Sequence, residues 1–385
     1  MSSNGDVWRY PWYLHNVLEM TDASAEDEEE EDETQRFTVW GYTFSEILAL
    51  TNALIAFCLA FMSLLGKSPT RYGGKSFVDS CSSEYHPDVQ QQPYVAYVMQ
   101  RFFDDCVSTL GGSIILDNLV VLSAGVKLNA LIESSRRNVA QSFGNTGKIV
   151  AALFPLCSQV VGICVTYPLF LFWMWSTRRQ QGHASSNNNN NKANSPLYDV
   201  DSRKVMLACL SSLLSLVLQF TFLKTGNRPV GYTFPLFDLS LWLCVPMIPP
   251  LFFLLFPTVP KSSTKTVRQL CGIMIIASYL IVGALGFAVH SLGFSNIESI
   301  LKARGGQTLT DAIIKDALST APSRFIFVSF VHLIFSCALF CTHETQGTGG
   351  PFLILFVTSL VGPAGSFGLL AAHHEFTLMR EDHVV

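Results

Sequence analysis

Asp117 and Asn118 lie near the middle of an apolar run, Val107 to Ile132, that is long enough to cross a bilayer. A spanning helix needs roughly 20 apolar residues, and a carboxylate near its centre costs on the order of 2.5 kcal/mol or more. Such a group must turn inward. A carboxyl starved of water keeps its proton, because desolvation penalises the charged form, and a neutral acid in an apolar cavity is a proton donor. The bland alternative is an acid tied to a neighbouring hydroxyl, or to Lys127, for helix packing. Lys127 stands roughly three turns along the same run, so a partner for Asp117 must come from another span.

Two further carboxylates are candidates to line the same cavity. Asp238 opens a run, Phe237 to Phe256, that holds Trp242, Pro246, Pro249 and Pro250; prolines loosen a helix, which a membrane tolerates only where the freed backbone meets protein or a polar cavity. The competing reading of Asp238 is an ordinary helix N-terminal acid favoured by the dipole. Glu46 stands close to the start of the first apolar run and is the third candidate, with a place at the interface as its alternative.

Metal chemistry finds no motif. Asp104 and Asp105 resemble the start of a diphosphate-binding acidic motif, but Cys106, Val107, Ser108 and Thr109 follow where further carboxylates a helical turn apart are needed. No metal and no cofactor is expected. His290 and His332 read as core or interfacial residues rather than haem ligands, and His373, His374 and Glu375 as residues of a helix end. Cys81 and Cys106 pair if their loop faces an oxidising lumen and stay thiols otherwise.

The elements that must position these groups follow from composition. Of 385 residues, 49% are hydrophobic and only 14% charged, and the mean hydropathy is +0.34, which excludes an ordinary soluble domain. The fold expected is all-α, a polytopic transmembrane bundle of about eight spans, with seven as the competing count. The spans run over Tyr42–Leu65, Val107–Ile132, Ile149–Trp175, Val205–Leu223, Phe237–Phe256, Leu270–Leu292, Phe325–Cys341 and Phe352–Ala372. Residues 1–41 form an acidic tail with an interfacial segment around Trp8 and Trp12, residues 42–376 the bundle, and residues 377–385 a C-terminal tail. Residues 177–203, with the asparagines 187–191, form a flexible linker. Residues 66–101 make a long polar loop of the kind that caps or closes a site, and residues 295–321 an amphipathic surface helix pair split at Gly305 and Gly306.

Much of the acid behind the formal net charge of −4 sits in the block Glu26 to Glu33, and no nucleic-acid footprint is visible. A basic n-region is missing, and the first span is expected to direct insertion of a multi-pass protein into the endoplasmic reticulum. Basic residues divide almost equally between alternate loops and leave the orientation open.

The Asp117 helix, the block FDLSLWLCVPMIPP from Phe237 to Pro250 and the GPAG of Gly362 to Gly365 together resemble the fungal membrane-bound meroterpenoid cyclases of the ascofuranone and macrophorin pathways. The resemblance covers the spans and leaves out the N-terminal tail and the asparagine-rich linker. It implies metal-free cyclisation of a farnesyl-type chain on an aromatic or quinone ring, begun by protonating a terminal epoxide or alkene. On physical grounds Asp117 then delivers the proton, Asn118 or Asp238 holds it in position, and Trp242 shelters the cations, with Glu46 as a further substrate contact. The partners are a hydrophobic prenylated small molecule and the lipid bilayer. A small-molecule transporter or channel, and a seven-span receptor-like protein, are the competing classes; absence of an internal repeat weighs against the first.

Overall fold

The computed structural model describes residues 38–39, 42–67, 72–86, 93–136, 153–154, 157–158, 161–186, 202–224, 251, 265–303, 318–344, 357–358 and 360–381. The chain divides into two units, Met1–Phe44 and Ser45–Val385. Within the first, strands β1 (Thr38–Val39) and β2 (Tyr42–Thr43) pair antiparallel, with Thr38 opposite Thr43. The second is helical.

Nine helices are described: α1 (Phe44–Leu65), α2 (Phe77–Glu84), α3 (Tyr94–Val107), α4 (Leu110–Ser135), α5 (Ile163–Ser186), α6 (Ser202–Lys224), α7 (Lys265–Ala303), α8 (Ala321–Glu344) and α9 (Pro363–Glu381). Four carry apolar stretches long enough to cross a membrane: Phe44–Leu65, Gly111–Ser135, Lys265–Gly293 and Ala321–Glu344. These are the marks of an integral membrane protein.

α1 shows how the surface is organised. Ala49, Ala53, Ala56 and Ala60 are buried, whereas Leu54, Ile55, Phe57, Leu59, Phe61, Met62 and Leu65 are exposed. Small residues let helix backbones approach, and large apolar ones turn outward where the surroundings are hydrocarbon. An exposed apolar face of this extent belongs in lipid.

α4 is the central element, with 72% of its apolar window buried against 28% for α1. It packs against α3, α5, α6, α7, α8 and α9. Its start is fixed locally: Thr109 Oγ1 accepts a hydrogen bond from Gly112 N at 3.1 Å, a side-chain cap on a free backbone donor. The polar residues that α4 carries inward are paired across helices. Asn129 donates to the Tyr279 hydroxyl of α7 and accepts from the Tyr167 hydroxyl of α5, both at 3.1 Å. α1 and α8 are joined in the same way, Asn52 Nδ2 donating to Ser336 Oγ at 2.8 Å while His332 Nδ1 lies 2.5 Å from Asn52 Oδ1.

Glycines set the contact of α7 with α9. A Cβ on Gly368 would stand 2.5 Å from the Tyr279 carbonyl oxygen and 2.7 Å from Gly283 Cα, so the backbones meet where no side chain fits. Gly362 has φ 78° and would drive a Cβ to 2.6 Å from the His290 ring. The chain breaks at Gly362, so the eighth expected span divides there instead of running unbroken to Ala372.

Other sequence boundaries shift as well. α5 begins only after Gly162 and continues to Ser186, so the first part of the expected linker is helical, whereas residues 187–201 lie outside the described residues. α7 continues to Ala303, so the expected surface helix pair begins as an extension of the sixth span. Residues 66–101 hold α2 and half of α3 and are a helical cap rather than a polar loop. The fifth span apart from Leu251, the interfacial segment around Trp8 and the C-terminal residues 382–385 lie outside the described residues.

Candidate functional site

A cavity of about 330 Å³ lies between α1, α2, α3, α4, α8 and the stretch around Gly162. That volume falls at the lower end of the range of small-molecule sites, roughly 300 to 1,000 Å³. α4 supplies one wall through Leu116, Leu119, Val120, Ser123 and Lys127. At about 100° of helix per residue these five fall within one narrow stripe. Phe61, Phe77, Phe102, Phe103 and Phe325 make the remainder of the wall strongly aromatic. Phe61 and Val78 are exposed and form its rim. Phe61 belongs to the outward face of α1, so that rim opens toward the lipid-facing side.

The helical cap holds the cavity's other end. Ser76 Oγ accepts from Asp79 N at 3.1 Å and starts α2, which carries Phe77 and Val78. Phe102 meets Phe77 edge-on at 6.2 Å between ring centroids and Phe325 at 5.6 Å, tying α3 to both α2 and α8. Behind these rings the Tyr72 hydroxyl donates to Asp105 Oδ2 at 2.6 Å, and Arg101 lies 3.8 Å from Asp105 Oδ1 and 3.3 Å from Glu84. Asp105 is therefore a structural acid of the cap. Cys81 and Cys106 are free thiols, each buried in a different apolar cluster.

Lys127 is the ionisable group of the described lining, and among the described residues no carboxylate or other acceptor pairs with it. Sequence reasoning named it only as a possible partner for Asp117. The signal was present: Lys127 lies on the same helical stripe as Leu116, Val120 and Ser123.

The expected site residues are placed as follows. Asp117 is half-buried on α4, about 100° around the helix from Leu116, and is not among the residues lining the cavity. Asn118 is buried on the side of α4 away from the cavity, with Nδ2 donating to the Ile114 carbonyl at 2.9 Å. Glu46 is fully buried, about 20 Å along α1 from the cavity-lining Phe61. Asp238 and Trp242 lie outside the described residues. Among the described candidates, the structure thus does not bring Asp117, Asn118 and Glu46 together at the cavity.

A second polar centre, which the sequence reading missed, closes one end of the bundle. Arg136 donates to both oxygens of Glu133, at 2.8 and 2.9 Å, and to Glu375 Oε1 at 2.5 Å. Arg178 reaches the same Glu133 and donates to Glu344 Oε1 at 2.8 Å, where Trp175 Nε1 also donates at 3.1 Å. His374 Nε2 lies 3.7 Å from Glu344 Oε2. Glu133, His374 and Glu375 each bring a ligand atom to within 4.8 Å of the others. Both carboxylates of that trio already hold guanidinium, which supplies the positive charge a cation would bring, so the cluster works as an ion-pair clamp. His373, His374 and Glu375 lie inside α9, and His374 and Glu375 face the core rather than a frayed end.

Fold and cavity define a helical membrane protein with an internal apolar site. No known protein family, curated protein or solved structure matches the chain significantly.

Proposed function

We propose that the chain is an eight-span membrane protein that takes a lipophilic small molecule from the bilayer into the cavity beside α4. The observation that carries this reading is the aromatic-lined cavity of about 330 Å³ whose rim includes Phe61, on the lipid-facing side of α1. The four apolar helices, together with α5, α6, α9 and the run Phe237–Phe256, make up the eight. The endoplasmic reticulum, where multi-pass chains insert, is the proposed location. Binding of an epoxidised prenyl phenol to purified protein tests the reading. Ser123→Phe, which fills the cavity from α4, is expected to remove binding while the helical content is kept; unchanged binding by that variant contradicts it.

A metal-free terpene cyclase is the enzymatic form of the same reading, favoured by the five phenylalanine rings around the cavity. Ring faces stabilise cations by roughly 0.5 to 2 kcal/mol each. In this form a terminal epoxide or alkene takes a proton, successive cations form along the folded prenyl chain, and loss of a proton ends the reaction. Asp117 is the proposed donor. It stands beside the cavity stripe rather than on it, so proton delivery needs either a side-chain rotation or a relay through a neighbouring hydroxyl. Incubating membranes with epoxidised prenyl phenols is expected to give a product of unchanged mass and shifted retention, lost in Asp117→Asn. A fully active Asn variant removes Asp117 from the mechanism.

A further inference from the structure

Lys127 sets a condition on what the cavity can hold. Its ammonium carries three donors and no acceptor, and it stands at the opposite end of the lined stretch of α4 from Leu116, about 16 Å along the helix axis. Around it the wall is hydrocarbon and aromatic, relieved by the hydroxyls of Ser123, Ser158 and Ser329. None of these is free: Ser123 Oγ donates to the Val120 carbonyl at 2.8 Å, Ser329 Oγ accepts from Cys164 Sγ at 3.4 Å, and Ser158 has an interaction of its own. Nearby in the cap, by contrast, Arg101 has its counter-charges in Glu84 and Asp105. A cation in such a wall is costly unless something pairs with it.

We propose that the cavity selects amphiphiles bearing one acidic head group, the carboxylate pairing with Lys127 and the apolar body lying along α4 toward the Phe61 and Val78 rim. The inference rests on the cavity being a binding site, and it names the chemistry of the guest. The head carries one negative charge because one ammonium, and no guanidinium, lines the described cavity. A phosphate monoester or a diphosphate brings more charge than one ammonium matches. The body is apolar and compact, since 330 Å³ must hold all of it. A straight-chain fatty acid and a prenylated aromatic acid share this chemistry.

The test uses the purified full-length protein in lipid nanodiscs with four probes: palmitic acid, methyl palmitate, a farnesylated benzoic acid and its methyl ester. In the unaltered protein each acid is expected to bind at least about tenfold more tightly than its ester, the scale of one charge-assisted contact. Lys127→Met is expected to lower acid binding to the level of the ester, with helical content and a monodisperse elution equal to the parent's showing that the variant is folded. Lys127→Arg is expected to keep most of the preference. The tighter of the two acids identifies the source of the head group. Equal binding of acid and ester by the unaltered protein, or an acid preference that survives Lys127→Met, overturns the proposal and leaves the cavity reading intact. Failure of all four probes to bind overturns both.

Discussion

Arg136 Nη2 lies 2.5 Å from Glu375 Oε1 across 239 positions of chain, and the same guanidinium grips both oxygens of Glu133 three residues before it. One side chain thereby fixes the end of α4 to α9. Removing one partner of a buried ionic group is far costlier than never having built it, because the remaining charges lose their compensation. Arg136→Gln is expected to destabilise the protein by about 3 to 5 kcal/mol. The measurement is thermal unfolding in detergent, followed by size-exclusion chromatography. A melting temperature equal to the parent's contradicts the clamp.

The contact of α1 with α8 rests on Asn52, which donates to Ser336 Oγ and faces His332 Nδ1. Interhelical hydrogen bonds in membranes contribute about 0.6 kcal/mol on average and up to about 1.7. Asn52→Ala, which loses these contacts and the bond from Asn52 Nδ2 to the His332 carbonyl at once, is expected near the upper value in a chemical unfolding titration. Asn52→Ala with Ser336→Ala should cost little more than the single change if the two groups act as one unit.

Close approach of α7 and α9 makes Gly368→Ala a sharp probe. The added methyl meets the Tyr279 carbonyl oxygen and Gly283 Cα, both backbone atoms that cannot swing aside. Helix separation of this kind costs typically 1 to 3 kcal/mol, roughly. Gly73→Ala supplies a comparison of another sort: its Cβ meets nothing within 4 Å, but φ is 57°, so the effect there is backbone strain alone. Gly368→Ala is expected to lower the melting temperature more than Gly73→Ala.

Cys81 reports on the cap from outside the spanning segments. Burial pushes its thiol up from 9.0 to about 11, with Arg101 pulling the other way. The folded chain therefore holds this proton where the unfolded chain has lost it. The resulting contribution to stability is fully present below about pH 9 and is lost as pH rises through about 11. Peptide-resolved alkylation with a water-soluble maleimide is expected to label Cys81 slowly at pH 7.5, and much faster once Phe102→Ala loosens the contact of α3 with α2. Rapid labelling of the unaltered protein at pH 7.5 contradicts a closed cap.

Much of the helical plan was legible in the chain because hydropathy is a local property. The runs over Phe44–Leu65, Gly111–Ser135, Lys265–Gly293 and Ala321–Glu344 need only their own side chains to be recognised. Helix ends were less legible: α5 starts where Gly162 takes φ 99° and α9 where Gly362 takes φ 78°, and a glycine in an apolar run does not announce its conformation. The helices of the cap were also hidden, since α2 and α3 are short and mixed in composition, and they persist by packing Phe77, Phe102 and Phe103 onto the bundle.

By itself the sequence determined that this is a helical membrane chain, because runs of about 20 apolar residues leave little else to do with them. Only the tertiary structure decided which stripe of α4 meets the cavity, setting Lys127 on it and Asp117 beside it. It alone joined Glu133 to Glu375 through one arginine. The physical reason is that rotation of a helix and choice of its neighbours are settled by the fit of whole surfaces, a long-range property that no window of sequence contains.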